Sequence, residues 1–97
     1  MWWKQAGAPG VRRILIDAWD PIGVAGSPDA VDEYDAYVAP IGGHLREGAT
    51  VSEVEGYLRH VRETAMGLDS PHWRSRDHEA AERLVEWYAA ETRRSDP

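Results

Sequence analysis

A chain of 97 residues is long enough for one hydrophobic core and too short for two, so a single domain over residues 1–97 is expected. Hydrophobic residues at 42% against 29% charged exclude wholesale disorder, and the net charge of -6 argues against general affinity for nucleic-acid backbone, which needs Lys and Arg to neutralise phosphates. With no cysteine, disulfides and thiolate metal sites are excluded.

The start, MWWKQAGAPG, lacks the apolar run of a signal peptide, and no stretch approaches the ~18 apolar residues of a membrane span. A cytoplasmic protein with no membrane association is therefore expected. Residues 1–8 read as an N-terminal tail. A first helix opens at Pro9 and covers about 10–19, because Val11, Ile14, Leu15, Ala18 and Trp19 recur at the spacing of one buried helical face. Asp20-Pro21 ends it, since proline disfavours helical geometry in the residue before it.

Ser27-Pro28-Asp29 has the form of a cap, a first-turn proline and an acid near the positive end of a helix dipole. A second helix is predicted over about 28–47, with Val31, Tyr34, Val38, Ile41 and Leu45 as its seam and a kink or break near Ala39, where Pro40 and Gly42-Gly43 weaken it. Gly48 is a stop. Thr50-Val-Ser-Glu53 matches a capping box and starts a third helix over about 51–66, with Val51, Val54, Leu58, Val61 and Ala65 inward and Glu55, Arg59, Arg62 and Glu63 on a solvated face. A fourth helix over about 77–93 turns Ala80, Ala81, Leu84, Val85, Trp87 and Tyr88 inward or half inward. Nothing reads as a strand, and four helices with short connections predict an all-α antiparallel bundle.

The least generic stretch is Trp19 to Val38, WDPIGVAGSPDAVDEYDAYV. With Asp17 just before it, it gathers acids and contains no Lys or Arg. The candidate binding patch is Asp20, Asp29, Asp32, Glu33 and Asp35. Three accounts fit these carboxylates: they cap and stabilise helix ends through the dipole; they form an anionic patch for a basic partner protein; or they hold a divalent cation or act as general acids. Trp19, Pro21, Tyr34 and Tyr37 read as structural. The two tyrosines should lie near the seam with their hydroxyls at the surface, bonded to a carboxylate such as Asp17 or Asp20. His44, His60, His72 and His78 show no zinc spacing, no G-x-S-x-G elbow is present, and Ile41-Gly-Gly lacks the strand and helix of a phosphate loop, so no catalytic residue, resident metal or cofactor is assigned.

WDPIGV followed by DEYDAYV, then an apolar helix, a Gly-Ala turn, a capped helix and a final MGL, resembles a group of small uncharacterised bacterial proteins with a WDPIG…DEYDxY signature. The similarity covers about residues 11–68. It implies a compact helical fold in a bacterial cytosol and gives no reaction. The expectation taken forward is a non-enzymatic acidic binding module, such as an immunity-like inhibitor covering the basic active site of a toxin. The alternatives are a metal-dependent protein using the carboxylates with His44, and a structural homodimer joined through Trp73, Trp87 or the N-terminal tryptophans.

Overall fold

A computed structural model describes residues 3–20, 34–65, 67 and 73–95. These residues form four helices and, among them, no strand. The bundle expected from the periodicities is the fold.

Helix α1 (residues 3–19) is a continuous helical run: a π-wound turn Trp3–Gly7, an α segment Ala8–Ile14 and a second π-wound turn Leu15–Trp19. Residues 3–8, read from the sequence as a tail, are thus helical. Val11, Ile14, Leu15, Ala18 and Trp19 are all buried, as their spacing requires. The helix ends where the Asp20 N–H donates to the Leu15 carbonyl at 2.8 Å, five residues back. Asp20 itself sits in the left-handed region at φ 36°, ψ 55°. Few non-glycine residues go there, although aspartate is among the more tolerant.

Helix α2 (Asp35–Arg46) buries Val38, Ile41, Gly42 and Leu45, with Tyr34 buried at its N-cap position. Of the kink or break expected near Ala39, the break does not occur, since the helix passes through Pro40. Pro40 costs one N–H, and Ala36, Ala39 and Pro40 are all exposed, so the carbonyl left without that donor faces water on the outer side. The N-terminal part predicted for this helix, 28–33, lies outside the described residues. Gly48 at φ 83° provides the left-handed stop after the helix.

Helix α3 (residues 51–65) is the α segment Val51–His60 continued by a π-wound turn Val61–Ala65. Its capping box is complete. The Glu53 N–H donates to Thr50 Oγ1 at 3.2 Å, and the Thr50 N–H donates to Glu53 Oε1 at 2.9 Å. The Thr50 N–H first, and the Thr50 side chain second, hold the Glu53 carboxyl below its usual pKa. Helix α4 (Arg74–Ser95) starts a turn earlier than the sequence suggested. Ala80, Ala81 and Leu84 are buried, Val85, Trp87 and Tyr88 are half-buried, and Glu79, Glu82, Arg83 and Glu86 are exposed.

The most extensive helix interface is between α3 and α4, and the closing π turn of α1 packs against α4. The core is one cluster in which Trp19, Leu15, Ile41, Leu58 and Leu84 are fully enclosed. Burying each such aliphatic side chain contributes about 1.5–3 kcal/mol. No helix among the described residues is long and apolar enough to cross a membrane.

Candidate functional site

Of the acids that the sequence singled out, the described ones, Asp20 and Asp35, each have a partner of their own. Asp35 lies against Arg12 of α1 in a two-pronged pair, Nε to Oδ1 at 2.7 Å and a terminal guanidinium nitrogen to Oδ2 at 3.0 Å. This corrects its assignment as part of a base-free acidic surface, because the neutralising cation comes from a helix 23 positions earlier in the chain. Both side chains are 39% exposed, so the pair contributes at most about 1 kcal/mol and serves mainly to orient α2 on α1. Asp20 accepts the Tyr34 hydroxyl at 2.8 Å, one of the two carboxylates expected to take it. Asp29, Asp32 and Glu33 lie outside the described residues, as does Pro21. Tyr37 is half-buried against the core beside Tyr57, whose hydroxyl is pushed above its ordinary pKa by burial and, secondarily, by Tyr37.

Three side chains that sequence reasoning did not join form the most ordered polar constellation in the described residues. Asp77, on the first turn of α4, accepts from Trp19 Nε1 at 2.8 Å and from Arg62 Nε at 3.2 Å through Oδ1. Its Oδ2 accepts from a terminal nitrogen of Arg62 at 2.7 Å. Trp19 is 0% exposed, and Arg62 and Asp77 are each 1% exposed. Arg62 had been placed on the solvated face of α3, and the structure overturns that. The π-wound turn begins at Val61, and both Val61 and Arg62 point into the protein, whereas Glu63 is only half-buried and Thr64 is exposed.

The signal was present in both spacings. Asp77 is i to Ala80, Ala81 and Leu84 at i+3, i+4 and i+7, which puts an acid at the head of an apolar stripe. Arg62 is i+4 to Leu58 on the neighbouring helix. An acid and a base on two buried faces are the kind that can share an interior only as a pair.

The constellation continues towards the surface. The Trp19 and Tyr34 rings lie 5.5 Å apart, centroid to centroid, at 51°, and the Tyr34 hydroxyl reaches Asp20. Arg76 stacks over Trp73 at 5.3 Å and donates weakly to the Trp19 carbonyl at 3.4 Å. Thus Trp19, Asp20, Tyr34 and Asp35, two residues from each side of the 21–33 segment, are fixed to one another or to α1 and α4.

The described histidines are dispersed, and His72 lies outside the described residues. His44 is half-buried and packs on Tyr57 at 5.0 Å between ring centres. It stands nine residues beyond Asp35 on α2, about 14 Å along the axis at the α-helical rise, so the two cannot ligate one ion. Among the described residues no group of three His, Asp or Glu side chains is arranged to hold a metal. His60 is exposed.

His78 on α4 places Nδ1 2.7 Å from Glu55 Oε1 of α3 and Nε2 3.4 Å from Glu82 Oε1. The hydrogen bond to Glu55 raises its pKa above 6.5, with smaller contributions from the charges of Glu82 and Glu55. Because the folded value is the higher one, this clip is fully present below the unfolded pKa of about 6.5 and is lost as pH rises through the folded value. Titration of the His78 ring by NMR should place its midpoint above 6.5, and Glu55→Gln should bring it down. A midpoint unmoved by that substitution would contradict the contact.

Compared with protein-family models, with curated proteins and with solved structures, the chain matches none.

Proposed function

We propose that this chain is a non-catalytic binding module that presents an acidic segment to a basic protein partner, in the manner of an immunity-like inhibitor. The observation that carries the reading is the way the segment is framed. Asp20 on one side of it and Tyr34 on the other are joined by a 2.8 Å hydrogen bond, and Trp19 and Asp35, the next residues outward, are tied to Asp77 and Arg12. A recognition segment carried between rigidly held ends loses less freedom on binding. Between those ends stand Asp29, Asp32 and Glu33 without a Lys or Arg, and Asp17 is exposed just before them. Clustered like charge steers association and selects partners.

Asp20 and Asp35 drop out of the contact set in this reading. They hold the frame, and Asp29, Asp32 and Glu33 meet the partner. The same proposal sets the protein in a bacterial cytoplasm, on the absence of cysteine and the WDPIG…DEYDxY resemblance. The test is affinity capture from the native host with the wild-type chain and with a D29N/D32N/E33Q variant. A basic protein retained by the wild type, lost from the variant and released by moderate salt is the expected result. A partner held equally by both chains, or only acidic partners, would overturn it.

A further inference from the structure

Helices α1 and α4 leave a cleft of about 420 Å³ lined by Gly10, Arg13 and Ile14 of the first helix and Arg83, Glu86 and Trp87 of the last. That volume falls in the range of small-molecule sites. Its lining is apolar at the buried Ile14 and the half-buried Trp87 indole, and charged elsewhere. Arg13 and Arg83 are exposed, come from different helices, and form no ion pair or hydrogen bond with any described residue. Glu86, three residues on from Arg83, is likewise exposed and unbonded among the described residues.

The polar inventory of the cleft is therefore two guanidinium groups and one carboxylate around an aromatic and aliphatic surface. A simple anion would leave Glu86 repelled and the indole unused, and a cation would face two arginines. A ligand that carries a carboxylate, an N–H donor one carbon away and an apolar side chain uses all of them. The carboxylate meets Arg13 and Arg83, the N–H donates to Glu86, and the side chain covers Trp87 and Ile14. We propose that this cleft binds an apolar α-amino carboxylate, either as a free amino acid or as the last residue of a polypeptide.

The experiment follows the Trp87 indole N–H signal and the heat of binding while L-phenylalanine, N-acetyl-L-phenylalanine, N-acetyl-L-phenylalanine amide and N-acetylglycine are titrated in turn. Saturable binding of at least one of the first two compounds, at about 1 mM or tighter, is expected. Binding of both, or of the acetylated compound alone, assigns a chain terminus; binding of free phenylalanine alone assigns a free amino acid. Removing the charge in the amide, or the side chain in N-acetylglycine, should weaken binding about tenfold, as should Arg13→Gln or Arg83→Gln, the worth of one charge-assisted contact. Arg59→Gln, an exposed arginine of α3 outside the cleft, should change nothing. All three substitutions are at exposed positions, and unchanged melting curves establish that the fold is retained. No movement of the Trp87 signal with either compound at 10-fold above about 1 mM would overturn the assignment. So would the amide binding as tightly as the better of the two carboxylates, or a loss in Arg59→Gln as large as in Arg13→Gln.

Discussion

Replacing Asp77 by alanine is expected to lower the unfolding free energy by about 3–5 kcal/mol, read from urea denaturation at neutral pH. The size follows from what is left behind. Arg62 is 1% exposed and would keep its positive charge with no carboxylate against Nε or the terminal nitrogen that Asp77 now accepts. Trp19 would lose the acceptor of its Nε1–H, adding an unsatisfied buried donor that itself costs about 1–3 kcal/mol. The Arg62→Met change alone should cost a similar amount by stranding the carboxylate. The double change Arg62→Met with Asp77→Leu should cost far less than the two singles together, because neither desolvated charge remains; its residual cost is the orphaned indole N–H. A loss under about 1 kcal/mol for Asp77→Ala, or additivity in the cycle, would show that the cluster does not bind the helices as its geometry implies.

The second large effect is expected at Gly10, where alanine should destabilise by about 1–3 kcal/mol although it is the better helix former. A Cβ built at Gly10 would overlap the Trp87 ring, with Cζ2 nearest, Cε2 at 2.8 Å and Cη2 at 3.0 Å. Only a residue without a side chain lets α1 approach the indole this closely. The ring is rigid and can give way only by moving as a whole. Removing the obstacle should reverse the sign: in a Trp87→Ala background, Gly10→Ala should be neutral or stabilising by up to about 1 kcal/mol, the ordinary helix-propensity gain. Thermal melting of the four chains in the cycle measures this directly. Destabilisation of equal size in both backgrounds would mean that the Gly10 contact is not the cause.

Much of the fold was legible because helical burial has a short period. The spacing of Val11, Ile14, Leu15, Ala18 and Trp19 and that of Val38, Ile41 and Leu45 named buried faces that the structure places in one core. The Thr50 to Glu53 box set the start of α3 to the residue. Pro40 was read as able to break the helix because a proline penalty was counted without asking where the lost bond would point, and it points to water. Asp35 was misread because its partner, Arg12, lies on another helix, and no helical spacing within α2 reports on that.

Sequence by itself determined the elements and their inward faces, since a helix declares its buried side through residues three and four apart. It also offered Asp17 or Asp20 as acceptor for the Tyr34 and Tyr37 hydroxyls, and the structure pairs Tyr34 with Asp20. Only the tertiary structure decided which charges meet. Arg62 and Asp77 are 15 positions apart, and Trp19 and Asp77 are 58 apart. Whether a charge on a flanking position is solvated or shut in depends on how far the neighbouring helix rolls toward it. That rotation is set by packing of the whole core, to which every helix contributes and which no single stretch of chain encodes.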